Sequence, residues 1–186
     1  GDLAFLVDAA RTPAGVAERV SRWRERGLAI VTVTPNGLWD RDPSEGFTPI
    51  AQVMSHPRMR DAAFVIVPHD RRPDQSDAVA ARQVLMALRD AHVIDRVMIA
   101  DATRYAEARA VLALADVHLA GRMHSAISAW SNAVPTVVRG YQKKAFGQAQ
   151  SVVQSDCVVN PRASPELLVD VLQHVLATRV ARSRTI

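Results

Sequence analysis

The chain is poor in cysteine and in aromatic rings, and each scarcity excludes a class of protein. One cysteine, Cys157, in 186 residues leaves no intramolecular disulfide framework and no multi-cysteine metal site. A lone thiol suits a reducing compartment. Aromatic residues make up 5% of the chain. All its basic residues except Lys143 and Lys144 are arginines, dispersed apart from the tail between Arg179 and Arg184. Single-strand binders need interleaved stacking rings and duplex binders a clustered basic stripe, so nucleic acid is not the expected partner. The longest apolar runs, such as Ala62-Ala63-Phe64-Val65-Ile66-Val67, fall far short of the ~20 residues that span a bilayer, so no transmembrane segment is expected. No HExxH, no GxxxxGK[ST] and no GxSxG occurs, which leaves catalytic zinc, P-loop and α/β-hydrolase chemistry without support, and no metal is expected.

What is present is the composition of one globular domain, 48% hydrophobic and 23% charged, with a net charge of +4 that suits a small anionic ligand. Nearly continuous apolar runs predict strands at Leu28–Thr34, Ala62–Pro68, Val93–Ala100, Asp116–Ala120, Thr136–Arg139 and Cys157–Val159, as in strands covered on both faces. Helical spacing predicts helices over Ala14–Arg26, Phe47–Ser55, Gln75–Ala91, Tyr105–Leu114, Met123–Asn132, Lys143–Gln154 and Ser164–Arg179. Ser164-Pro165-Glu166 offers a capping serine and an N1 proline for the last of these. The alternation implies an α/β, Rossmann-like three-layer domain: a mostly parallel sheet of about six strands with helices on both faces. Residues 1–13 read as a leader left from a preceding domain, 14–180 as one Rossmann-like domain, and 181–186 as a loose tail.

Ligands of such sheets bind at the carboxyl ends of the strands, close to helix N-termini. The residues expected there are Pro35-Asn36-Gly37, Pro68-His69-Asp70, Asp101, Gly121-Arg122-Met123-His124 and Gly140-Tyr141-Gln142-Lys143-Lys144. At Gly121, Arg122 and His124 free backbone N–H groups, the positive end of a helix dipole and an arginine fork coincide, a combination that fits phosphate or carboxylate. An imidazole with an ordinary pKa of ~6.5 can serve there as a general acid. The competing reading is that Arg122 pairs with a neighbouring carboxylate and His124 packs at the helix start. Lys143 and Lys144 oppose the dipole of the helix they open, which marks them, with Tyr141, as candidate anion ligands; the alternative is a solvated lysine pair. His69 is placed to hold an imidazole over the site, although a strand-end histidine is as often structural. Asn36-Gly37 is first a turn signal, and its glycine would allow close backbone approach to a ligand. Cys157 reads as core.

The stretch from Ala115 to Lys144 resembles the polysaccharide pyruvyl transferase family: an aspartate-led strand (Asp116), a small residue (Gly121), Arg-x-His (Arg122, His124), an apolar helix, a Pro135-initiated strand, then Tyr-x-x-Lys (Tyr141, Lys144). Val33-Thr34-Pro35-Asn36-Gly37-Leu38 is similar to the family's first strand and loop in this half, and Pro68-His69-Asp70 with Ser76-Asp77 to its next strand end. The resemblance implies the C-terminal half of a glycosyltransferase-B-like (GT-B-like) fold. It also implies transfer of a pyruvate ketal from phosphoenolpyruvate to a sugar of a cell-surface or exopolysaccharide, with no separate cofactor. Arg122 would hold the donor's phosphate or carboxylate, and His124 would protonate its methylene carbon. The family's further donor arginine has Arg11, Arg71 and Arg72 as the positions open to it. The implied partners are phosphoenolpyruvate, a glycan or lipid-linked sugar acceptor, and an N-terminal half without which the isolated chain is expected to be inactive. The implied location is cytoplasmic or peripheral to the inner face of the membrane. Two readings stand beside this one: a GT-B-type glycosyltransferase using a nucleotide sugar, and a non-catalytic binding module.

Overall fold

A computed structural model describes residues 10–36, 43–70, 72, 76–88, 91–100, 102, 104–140 and 143–186, with backbone only at 43–46, 91, 143 and 144. Six strands form one sheet: β1 (Ala29–Thr34), β2 (Ala62–Ile66), β3 (Val97–Ile99), β4 (Val117–Ala120), β5 (Thr136–Arg139) and β6 (Val158–Val159). Their order is β3-β2-β1-β4-β5-β6, and every pairing is parallel. Among the described residues, eight α-helices connect and flank them: α1 (Ala14–Glu25), α2 (Pro43–Ser55), α3 (Asp77–Ala87), α4 (Ala91–Ile94), α5 (Tyr105–Leu112), α6 (Met123–Trp130), α7 (Lys143–Ser151) and α8 (Pro165–Ser183).

Period-two alternation assigns each strand residue to one face. Val31, Val33, Phe64, Ile66, Val117, Leu119 and Val137 point to the side covered by α2, α3 and α8, where Phe47, Ile50, Met54, Val84, Leu168 and Leu172 meet them. On the opposite side, Ile30, Ala63, Val65 and Val67 pack on Val16, Val20 and Trp23 of α1 and on Val111 and Leu112 of α5. Ala120 and Val138 continue that side against Ile127 and Trp130 of α6 and Ala145 and Ala149 of α7. The expected three-layer sandwich is present. Strand order reverses between β1 and β4, because the chain leaves β1 for β2 on one side and returns to β4 on the other. The crevice above that junction is the binding position of open α/β sheets.

Several boundaries depart from the sequence reading. The third strand was expected from Val93, but Val93 and Ile94 belong to α4, and the chain turns at Asp95–Arg96 before entering β3. Val93 is apolar because it is buried in the α2/α3 core, not because it lies in the sheet. Cys157 ends a 3-10 turn, Ser155–Cys157, ahead of β6. Burial pushes its thiol up to about 12, so it is a buried, unreactive group. The last helix starts as expected, with the Ser164 hydroxyl accepting the Leu167 N–H. It then runs to Ser183 rather than stopping at Arg179, because Arg182 reaches back to Asp156 at 2.6 Å, and Ile186 packs against the α6/α7 cluster. The 181–186 segment is therefore bound to the domain. Of the leader, Ala10 to Pro13 are described, and the Ala10 N–H donates to the Ala106 carbonyl of α5.

Gly121 joins β4 to the end of β1 above the junction. Its N–H donates to the Thr34 carbonyl at 2.8 Å, and a Cβ there would stand 2.5 Å from that oxygen. A side chain at this point must pry β4 from the end of β1. Gly121→Ala should cost about 1–3 kcal/mol and lower Tm by several degrees in a thermal melt. An unchanged Tm would show that the strand ends yield freely.

Candidate functional site

Three strand ends meet above the junction. After β1, Asn36 is nearly buried, and its Nδ2 donates to the Gly121 carbonyl at 2.8 Å. That bond joins the β1 loop to the β4–α6 loop, so Asn36 shapes the site. Gly37, its expected partner in ligand approach, lies outside the described residues.

After β4, Arg122 is the extended residue that precedes the first turn of α6. Its Nε and Nη2 donate to Asp77 Oδ1 at 3.1 and 2.7 Å, and its Nη1 lies 3.6 Å from Asp70 Oδ2. Asp77 is fully buried at the start of α3, and its Oδ2 accepts the backbone N–H groups of His69 and Asp70 at 3.2 and 2.8 Å. One carboxylate therefore fixes the loop after β2 with one oxygen and aims the arginine with the other. The carboxylate-pairing reading of Arg122 is what the geometry displays. Arg72 closes the cluster on the solvent side with a 2.5 Å ion pair to Asp70, and its hydrogen bonds hold that carboxyl well down, at about 2. Among the described residues, two arginines face two aspartates in this cluster.

His124, two residues beyond Arg122, is exposed on the first turn of α6, where the N-terminal dipole favours negative charge. His69 follows β2, within electrostatic reach of Arg122 and His124. Its ring meets Tyr105 edge-on at 5.3 Å and 74°, and neither of its shielded ring nitrogens has a hydrogen-bond partner. Burial lowers its pKa to about 4, despite the nearby Asp77 carboxylate, and keeps it neutral. Tyr141 and Asp101 lie outside the described residues, as does Arg71. The backbones of Lys143 and Lys144 open α7 after β5. Of the arginines open to the further donor role, Arg11 is exposed in the leader and Arg72 is the ion-paired residue at the rim.

Sequence reasoning missed two residues that build the site from beneath. His118 had no recognisable partner in sequence, yet it is wholly buried in β4 and joins three elements. Its Nδ1 lies 3.0 Å from Thr32 Oγ1 and 3.1 Å from the Thr32 carbonyl of β1, and its Nε2 lies 3.1 Å from Ser125 Oγ of α6. Ser125 in turn donates to the Arg122 carbonyl at 2.8 Å. The relay holds the Arg122 backbone from below as Asp77 holds its side chain. Burial drives His118 down to about 3. The legible signal was a histidine in the middle of an apolar strand with a serine seven residues on. Asp77 is the second: the sequence reading named it with Ser76 at the second strand end but gave it no role, and the fold buries it completely. Among the described residues no group of three or more His, Cys, Asp or Glu is arranged to hold a metal ion, and no helix is long and apolar enough to cross a membrane.

The architecture has solved counterparts. A UDP-N-acetylglucosamine 2-epimerase from Listeria monocytogenes aligns over 96% of this chain and 43% of its own, with TM-score 0.63 and 11% identity. An E. coli trehalose-6-phosphate structure bound with UDP-2-fluoro glucose aligns over 95% of this chain and 43% of its own, with TM-score 0.63 and 14% identity. The N-terminal domain of Candida albicans trehalose-6-phosphate phosphatase aligns over 96% and 42%, with TM-score 0.55 and 16% identity. These are GT-B-type folds. The chain has the GT-B-type Rossmann fold. It spans less than half the length of each of these three chains. No family model matches the sequence, and no curated protein matches it either.

His118, which is buried, and His69, whose ring nitrogens are shielded, impose a pH dependence of known sign. Their folded pKa values lie below the ordinary 6.5, so the unfolded chain binds more protons between pH 6.5 and about 3. Their contribution is whole above pH 6.5 and is lost progressively as pH falls toward 4 and then 3. The urea midpoint should therefore be level from pH 7 to 8 and fall steadily from pH 6 to 4. A midpoint independent of pH across that range would mean that neither imidazole is buried uncharged.

Proposed function

We propose that this chain is the donor-binding half of a polysaccharide pyruvyl transferase, which takes phosphoenolpyruvate at the crevice above β1 and β4. The observation that carries the reading is the adjacency of an oriented arginine and an exposed histidine at the first turn of α6, at the point where strand order reverses. An arginine already held by a buried carboxylate meets its ligand without the entropic cost of ordering a long side chain. Arg122 is the group that takes the donor's phosphate or carboxylate. His124 delivers a proton to the methylene carbon, which leaves C2 electrophilic. One sugar hydroxyl adds there, phosphate departs, and a second hydroxyl closes the ketal. Of the two hydroxyl protons, one replaces the proton His124 gave to the new methyl group and the other leaves with the phosphate. The remaining charge of a trianionic donor falls to the helix dipole, to Lys143 and Lys144, and to the other half of the enzyme.

A second reading is favoured by one comparison: the E. coli counterpart is bound with UDP-2-fluoro glucose. A nucleotide sugar would place its diphosphate at the same helix start. It would also want a carboxylate on the ribose hydroxyls near the helix after β5, and Gly140-Tyr141-Gln142-Lys143 provides none.

Thermal melts with phosphoenolpyruvate, inorganic phosphate and UDP-glucose separate the two. Phosphoenolpyruvate at 100 times its Kd should add about 2.7 kcal/mol, several degrees for a domain of this size, and more than phosphate does. His124→Ala should abolish the gain without changing the unliganded Tm, because His124 is exposed. A shift with UDP-glucose and none with phosphoenolpyruvate would replace the first reading by the second.

A further inference from the structure

At the ends of β1 and β2, Thr34 Oγ1 and both ring nitrogens of His69 are shielded from solvent and have no hydrogen-bond partner. Unsatisfied buried polar atoms are rare and destabilising, so three of them at two neighbouring strand ends need an explanation. The polar atoms around them are satisfied. His118 is bonded on both nitrogens, Ser125 donates to the Arg122 carbonyl, and the Tyr105 hydroxyl lies 2.7 Å from Ser128 Oγ. Thr34 and His69 are therefore set apart from the bonded polar groups next to them, and Gln154 Nε2 is a further unsatisfied atom beyond β5.

We propose that Thr34 and His69 form a subsite for a neutral hydroxyl-bearing group, and that this half of the enzyme thereby orients an acceptor hydroxyl beside the donor held at Arg122. A neutral imidazole presents one N–H donor and one lone pair, and a threonine hydroxyl can give or take. That set matches a sugar hydroxyl, which also does both, and suits a phosphate poorly. The low pKa of the ring agrees, since a histidine meant for an anion gains from being protonated. Tyr105 limits the tilt of the ring from one edge, and the backbone of His69 is pinned to Asp77, the carboxylate that aims Arg122. A half-turn about Cβ–Cγ exchanges ring nitrogens with ring carbons, so a ligand on either edge meets a nitrogen. Only the identification of the hydroxyl as the acceptor's rests on the pyruvyl-transfer reading; the preference for a neutral hydroxyl over an anion does not.

The test combines stability with nitrogen NMR on histidine-labelled chain, using methyl glucoside, methyl galactoside, inorganic phosphate and phosphoenolpyruvate as probes. His69→Phe keeps a ring against Tyr105 and removes both unpaired nitrogens. It should raise Tm, and it identifies the His69 signals by their loss. In the parent chain a glycoside should move the His69 nitrogen signals while phosphate moves those of His124. His69→Phe should remove the remaining response to the glycoside and keep the thermal shift with phosphoenolpyruvate. A lower Tm in His69→Phe would overturn the proposal, because the nitrogens would then have structural partners. Silence of His69 toward both glycosides, or an equal response to phosphate, would overturn it too. A chain that answers a glycoside at His69 but ignores phosphoenolpyruvate keeps this subsite and removes the donor reading.

Discussion

The site depends on one buried ion pair. Asp77 has no exposed surface, and a carboxylate so placed must be paired and fully hydrogen-bonded to remain ionised. It meets that demand with four N–H groups: two from Arg122 and the backbone N–H groups of His69 and Asp70. These come from two different strand ends, so the requirement of one charge sets the relative positions of the β2 loop and the β4–α6 loop. The Asn36–Gly121 bond and the Gly121–Thr34 contact then bring the end of β1 into the same arrangement. A glycine at 121 is what lets the strands close far enough for the arginine to reach the carboxylate.

The pair also divides the chemistry of the crevice. Toward solvent, the arginine, the exposed imidazole of His124 and the helix dipole favour negative charge. Toward the sheet, burial keeps His69 and His118 neutral, at about 4 and 3, and the surrounding groups are hydroxyls and carbonyls. A ligand with an anionic end and hydroxyls on its other side would satisfy both layers. Phosphoenolpyruvate and a sugar, brought together, have that character.

The sheet was legible because its strands are apolar on both faces, a pattern few other structures produce, and because β1, β2, β4 and β5 are central. The edges were less so. Val93 is hydrophobic for a helical reason, and Cys157 for a turn, and a single-residue pattern does not distinguish these from strand burial. Arg122 and His124 were legible from their place after an apolar strand and before a helix. Asp77 and His118 were not, because their roles come from strand order. The sheet sets β1 between β2 and β4, which brings residues 45 apart in sequence into one ion pair and residues 86 apart into one hydrogen bond. The resemblance supplied the motif around Arg122 but assigned no partner to the arginine.

A double-mutant cycle of Asp77→Asn and Arg122→Gln, read by urea unfolding and by phosphoenolpyruvate binding, tests this account most directly. The account predicts non-additive stability losses, with a coupling of about 2–3 kcal/mol, and loss of phosphoenolpyruvate binding in Asp77→Asn as complete as in Arg122→Gln. Additive losses, or a folded Asp77→Asn chain that binds phosphoenolpyruvate as well as the parent, would contradict it.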